Sequence, residues 1–474
     1  MLRPVPLRAH RTLGLLPVLL LACVGDAGSD SPGPGDAAAP DVAEAPDAGT
    51  GSDASDAAEA PDAADGLPAP EPTPAYPGDR THSPLTPRVV AGLRAVAERG
   101  AEAEARDDVF AKVGASSTKS RSFLHCFAGE AVDLGGRPHL RPTLEHFRDG
   151  DAAGTDPYQR ESETVTVGWS AWSALAGDPS PVERELAAIR PSLALIMYGT
   201  NDIQARNPVR YAGNMLDLTD LLLRRGVIPL LFTVMPRDDD ARADALVPLY
   251  NAIVRGVAQG RGVPLIDYHR VLAPLPDHGL GPDRLHPSTY RADGRARACD
   301  LGEDGLRHGY NLRNLLALES LERVRRAVWE EEPAPDGAPV GLAGDGSPGS
   351  PYEIERLPFT HLADLSDGVH RRIHAYPGCD AEQDESGPEH LYILRLEAPT
   401  TIQVHVFDRG DVDIDVHILD ASADGEGCVA RGHHEASAAL EAGTWHIALD
   451  TFVSDGEELA GEHLLVLLAA PPER

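Results

Sequence analysis

Positive charge is scarce in this sequence: 42 Lys and Arg stand against 75 Asp and Glu, a formal net charge of -33 over 474 residues. No basic stripe interrupts that excess, so binding to nucleic acid is excluded, because a surface of this sign repels a phosphate backbone. The charge serves solubility instead. Cysteine is also scarce, at 5 residues, and apart from adjacent His433-His434 no close Cys or His pair has ligand-like spacing. Two neighbouring imidazoles cannot easily share one ion, so neither a metal nor a cofactor is expected. Missing too is a long apolar run near the start: Leu13 to Leu21 is too short to span a bilayer as a helix.

What is there begins with targeting. Arg3, Arg8 and Arg11 precede that apolar run, the pattern of a secretory signal, and the run closes on Leu20-Leu21-Ala22-Cys23. This closing stretch resembles a bacterial lipobox, which makes residues 1–23 a lipoprotein signal with its lipobox cysteine and implies cleavage just before Cys23 and acylation of that cysteine. Several acyl chains at about 0.8 kcal/mol per buried methylene make a lasting membrane anchor. Val24 occupies the position where an Asp favours inner-membrane retention, so the resemblance implies the outer membrane of a Gram-negative bacterium. Residues 24–86 are Ala, Asp, Pro, Gly and Ser with almost no large apolar side chain. Such a segment cannot bury enough surface to offset chain entropy, and it reads as a disordered acidic tether.

Folded sequence is expected from 87 to 330. Val89 to Ala103 has a helical apolar face, Val109 to Val113 reads as a strand, and Gly114-Ala115-Ser116-Ser117-Thr118 follows as a sharp turn. Glu163 to Val167 alternates like a half-buried strand and delivers Gly168. Pro179 to Ile189 reads as a helix feeding the apolar strand Ser192 to Tyr198, which stops at Gly199-Thr200-Asn201-Asp202. Beyond it, Tyr211 to Arg225 is helical, Val227 to Val234 strand, Arg242 to Gln259 helical, Val263 to Asp267 strand and Asn311 to Val328 helical. Helices alternating with apolar strands imply an α/β fold with a parallel sheet, whose ligands sit beyond the carboxyl ends of the strands. Asp283 and His286, in the Gly281 to Pro287 stretch, are spaced to share one side of a turn, where a carboxylate fixes the tautomer of an imidazole.

Taken together, GASST, VGWS, YGTND and DRLHP resemble the four sequence blocks of SGNH (GDSL-type) hydrolases, in order and in strand context, across about Pro87 to Glu330. The resemblance implies a three-layer α/β/α, flavodoxin-like fold and cofactor-free ester hydrolysis. It assigns Ser116 as nucleophile, His286 as general base and acid, and Asp283 as the group orienting the imidazole. The oxyanion donors it implies are the Ser116 and Gly168 backbone N–H groups and the Asn201 side-chain amide. Ser117 occupies a position that is usually apolar in the family. Ala115 departs from the pattern, replacing the aspartate that braces the family's nucleophile loop.

Residues 331–352 form a linker rich in Pro, Gly and acid, and residues 353–474 read as a small all-β sandwich. The runs DVDIDVHIL and GTWHIALD resemble the pre-peptidase C-terminal domains of secreted bacterial hydrolases. Asp411, Asp413 and Asp415 alternate with the buried set; they read as solvated strand residues, with Ca²⁺ binding as the alternative. With Cys23 taken by lipid, one disulfide per domain pairs Cys126 with Cys299 and Cys379 with Cys428, as suits an oxidising compartment. The expected protein is thus an extracytoplasmic, lipid-anchored serine esterase acting on small esters or on O-acyl groups of carbohydrate. The alternative is a surface scaffold or adhesion lipoprotein whose hydrolase fold has lost turnover, and Ala115 is the residue that argues for it.

Overall fold

The computed structural model describes residues 76–337, 341–381 and 383–470. The signal segment, Cys23 and the tether as far as residue 75 lie outside the described residues. Four parallel strands, β1 (Arg106–Gly114), β2 (Pro191–Met197), β3 (Ile228–Phe232) and β4 (Leu265–Ile266), lie side by side in that order. Every residue of β2 is buried, as an uninterrupted apolar run requires of a strand covered on both faces. The helices Pro87–Glu102, Arg141–Arg148 and Gly309–Val328 form one covering layer; Pro181–Ile189, Pro208–Arg224 and Val247–Gly260 form the other. β1 and β2 end in register, Gly114 opposite Met197, so the loops that leave them start at one edge of the sheet.

Local sequence explains where elements start. Ser180 accepts the Glu183 N–H while the Glu183 carboxylate accepts the Ser180 N–H, a reciprocal cap with Pro181 in the first turn. The helix expected over Arg242 to Gln259 is instead two, Ala241–Asp244 and Val247–Gly260, because Pro248 has no N–H to continue the first and suits the opening of the second. The strand expected at Glu163 to Val167 is reduced to a single parallel bridge, Val165 to Gly114. There the Thr164 hydroxyl donates to the Lys112 carbonyl at 2.7 Å and lies 2.7 Å from the Ser162 hydroxyl, so side chains replace most of the ladder. Counting that bridge as a remnant second strand, the spatial order is 2-1-3-4-5, the flavodoxin-like arrangement.

Two boundaries differ from expectation. Residues 76–86, read as the end of the tether, are folded: Tyr76 and Leu85 are buried, Tyr76 donates its hydroxyl to Val263 O at 3.0 Å, and Ser83 donates its N–H to Leu265 O at 2.9 Å. The segment covers the open edge of the sheet at β4, which would otherwise present unpaired backbone groups. The linker is tied at both ends. Asp336 accepts the Leu85 N–H at 2.8 Å and the Arg323 guanidinium at 2.6 Å, while Tyr352–Ile354 is already a strand of the following domain.

That domain is a sandwich of two sheets. One orders Glu435–Leu440, Thr400–Asp408, Glu462–Ala469 and Phe359–Asp364; the other orders Cys428–Gly432, Ile414–Leu419, Gly443–Thr451, Glu389–Leu396 and Tyr352–Ile354. Ile402, Val404 and Val406 meet Ile414, Val416 and Ile418 between them. In the Glu462–Ala469 strand, Leu465 and Leu467 join this core while Leu464, Val466 and Leu468 pack on the α/β domain. Burial on both faces explains why this strand is continuously apolar whereas its neighbour Thr400–Asp408 alternates. The Val247–Gly260 helix packs on the same sheet, so closely that a Cβ added to Gly260 would sit 2.5 Å from Leu362 Cβ. Arg261 bridges Asp220 of the first domain and Glu462 of the second, and Arg409 reaches Asp217 and Glu462. Disulfides join Cys126 to Cys299 and Cys379 to Cys428. Asp415, read as solvated, is buried, because the chain around residues 370–386 crosses the outer face of its sheet.

Candidate active site

β1 hands the chain to Ala115, and Ser116 opens the short helix Ser116–Lys119 at the carboxyl edge of the sheet. Its hydroxyl lies 2.7 Å from His286 Nε2. His286 Nδ1 lies 2.7 Å from Asp283 Oδ2, and the other carboxylate oxygen of Asp283 accepts the His286 and Leu285 N–H groups at 3.0 and 3.2 Å. The histidine loop is therefore folded around its own acid. Partial burial acts to raise the Asp283 pKa, but the hydrogen bonds from the His286 ring and the two backbone donors outweigh it and hold the group below its ordinary value. In this geometry the imidazole keeps its proton on Nδ1 and offers Nε2 to the hydroxyl.

Gly168 and Asn201 come from neighbouring loops. Gly168 takes φ +81°, a conformation in which a side chain would be strained. Asn201 donates one amide hydrogen to Trp169 O at 2.8 Å, which ties the two loops together and leaves the second hydrogen for another acceptor. Asp202 ties them again, accepting the Ala171 N–H at 3.0 Å and the Gly199 N–H at 2.9 Å. Burial raises the Asp202 pKa and these donors offset part of the rise. Arg237, almost wholly buried, donates to Thr200 O at 2.6 Å while paired with Asp239. Ser117 is buried, and its carbonyl rather than its hydroxyl takes part in the bracing described next.

The residues that the motifs did not reveal lie on the closing helix, Gly309–Val328. Arg313 is buried and donates to Ser117 O at 3.1 Å and to Thr118 Oγ1 at 3.0 Å, its guanidinium carbon 3.8 Å from the Phe123 ring centroid. Among the described residues it meets no carboxylate. Asn314 clamps the Ser122 to Leu124 segment and the Ala298 carbonyl, while Asn311 accepts the Tyr290 N–H and donates to the Arg297 and Asp300 carbonyls. The first turns of one helix thus hold both the serine loop and the loop after His286. The Cys126–Cys299 disulfide joins the same two loops. The signal was present in the sequence: Asn311, Arg313 and Asn314 are polar residues in the opening turns of a helix buried nearly all round there. A cavity lined by Tyr76, Gln259, Leu357 and Thr360 lies between the domains, and none of the residues above borders it.

Residues 151–290 match the GDSL-like Lipase/Acylhydrolase family. None of the curated proteins matches the chain. Among solved structures, a GDSL-like lipase from Bacteroides thetaiotaomicron is similar at 16% identity over 50% of this chain and 98% of its own, with a TM-score of 0.29. A two-domain esterase active on acetylated mannans is similar at 12% identity over 79% of this chain and 95% of its own, with a TM-score of 0.28. The pre-peptidase C-terminal domain of a Bacillus anthracis collagenase is similar at 14% identity over 23% of this chain and 89% of its own, with a TM-score of 0.16.

Proposed function

From the premise that the chain carries a GDSL-like (SGNH) hydrolase domain acting on ester bonds, we propose that Ser116, His286 and Asp283 are its catalytic residues. The observation that carries the reading is the continuous chain of two 2.7 Å contacts from the Ser116 hydroxyl through the His286 ring to the Asp283 carboxylate. Ser116 Oγ attacks the ester carbonyl as His286 Nε2 takes its proton, and the same nitrogen then protonates the departing alcohol. Water repeats the sequence on the acyl-serine and releases the acid. The Ser116 and Gly168 N–H groups and the free amide hydrogen of Asn201 would meet the oxyanion, each such donor being typically worth about 3 kcal/mol of barrier. Ala115 removes the family's brace, and the support for activity in its absence is Arg313, which holds the same turn from beneath.

For the substrate we propose short acyl esters carried on carbohydrate. Ser116 and His286 are part-exposed at an open sheet edge, and beside Gly168 the side chains of Val167 and Trp172 are 68% and 49% exposed. An exposed indole with a guanidinium, Arg210, 5.1 Å from its ring centre suits the face and hydroxyls of a sugar. The two disulfides support an extracytoplasmic location. Anchoring through Cys23, and placement in an outer membrane, belong to this proposal on the strength of the LLAC stretch alone. Among the described residues no helix is long and apolar enough to cross a membrane.

The test is turnover of p-nitrophenyl acetate and of acetylated xylo- and manno-oligosaccharides by wild type and Ser116→Ala. Loss of all turnover in a variant with unchanged melting supports the assignment; unchanged turnover removes Ser116 from it.

A further inference from the structure

On the outer face of the five-stranded sheet, far along the chain from the hydrolase residues, Asp415 and His417 project side by side from the Ile414–Leu419 strand, opposite to Ile414, Val416 and Ile418. The chain around residues 370–386, closed by the Cys379–Cys428 disulfide, covers them and brings down Glu385. All three side chains are buried, and their nearest ligand atoms lie within 4.8 Å of one another. Neither ring nitrogen of His417 and not the second carboxylate oxygen of Glu385 has a hydrogen-bond partner. Buried orphan polar atoms of this kind cost about 1–3 kcal/mol each unless something occupies them.

Carboxylates crowd the surroundings. Asp450 sits directly opposite Asp415 in the ladder, itself buried, and Glu385 and Asp450 are both pushed up by burial and by neighbouring carboxylates. Arg431 comes only to 3.7 Å of Asp415. Gln383 donates to both Glu385 and Asp415, and Tyr376 stacks on the His417 ring with centroids 3.4 Å apart, so the groups are held rather than free to turn to solvent. His433, half-exposed, lies 3.3 Å from the far oxygen of Asp415 and 2.9 Å from Asp413.

We propose that Glu385, Asp415 and His417 form a zinc-type divalent metal site that fastens the covering segment to the sheet. One imidazole and two carboxylates make a three-ligand N/O set that a water completes to the four-coordination suited to Zn²⁺, whereas Ca²⁺ and Mg²⁺ take oxygen donors. With no hydrogen bond to either ring nitrogen, the neutral His417 imidazole has a lone pair to offer an ion.

The test uses the purified whole protein, stripped with EDTA and titrated with ZnCl₂ or CaCl₂. One equivalent of Zn²⁺ should bind per chain and raise the melting temperature by about 5 °C at a hundredfold excess over Kd, with no rise from Ca²⁺. Co²⁺ in its place should give the visible absorption of a tetrahedral site. Glu385→Gln keeps the shape and removes a buried charge, so without metal it should melt at or above wild type and with Zn²⁺ below it. His417→Gln should bind Zn²⁺ more than tenfold more weakly, and hydrolysis of p-nitrophenyl acetate should be unchanged in both variants. Equal Zn²⁺ binding by wild type and both variants, an equal rise with Ca²⁺, or no binding at all would each overturn the site and leave the hydrolase assignment untouched.

Discussion

Arg313 is a buried cation whose only described polar partners are the carbonyl and hydroxyl of the nucleophile turn. It acts through Ser117 and Thr118 and touches no substrate, so it is a positioning residue. Arg313→Met should lower kcat by about tenfold or more with KM little changed, because a 1 Å error in a nucleophile is felt in the transition state. Arg313→Lys should recover little, since a point charge cannot span the two acceptors as a planar fork does. A rise in KM at constant kcat would instead place Arg313 in substrate binding. Asn201→Ala, by contrast, removes the side-chain donor proposed to meet the oxyanion and should cost about 10²–10³ in kcat, measured on the same ester.

At the scale of elements, the parallel sheet and its helices could be read from apolar periodicity, because β2 and β3 are buried along their whole length and the helices that flank them carry clear apolar faces. Serine, histidine, aspartate and asparagine could be picked out because each sits in a short motif at a strand end or tight turn. What stayed hidden was held by side chains rather than by pattern. The Glu163 to Val167 run alternates correctly yet pairs at one residue, since Ser162 and Thr164 bond locally. Asp415 read as solvated, since the segment around residues 370–386 that covers it is marked by no sequence pattern. The loops bearing Ser116 and His286 are joined by a disulfide whose half-cystines are 173 residues apart. Replacing Cys126 and Cys299 together by serine should cost about 2–4 kcal/mol of stability by denaturant unfolding, and should lower kcat as the loops loosen.

For the whole molecule, the two domains share apolar surface and a buried charge network, so they should melt as one transition. Arg261→Met leaves the buried Asp220 without its principal partner and should destabilise by about 3 kcal/mol, visible in calorimetry as a lowered or split transition. Acid should act on the sandwich through His361 and His390, which burial pulls from 6.5 to about 3, together with His463, lowered for the same reason. Between these values the unfolded chain binds more protons, so stability is complete above 6.5 and falls as pH drops toward 3. At pH 5 each of the first two should cost about 2 kcal/mol, read from urea midpoints at pH 7 and pH 5.

The packing of the sandwich against Gly256 and Gly260 fixes more than stability. In a parallel α/β unit each helix runs back against its strands, so the carboxyl end of Val247–Gly260 lies at the end of the sheet away from Ser116. The sandwich, packed at that carboxyl end, therefore leaves the Ser116 edge of the sheet uncovered.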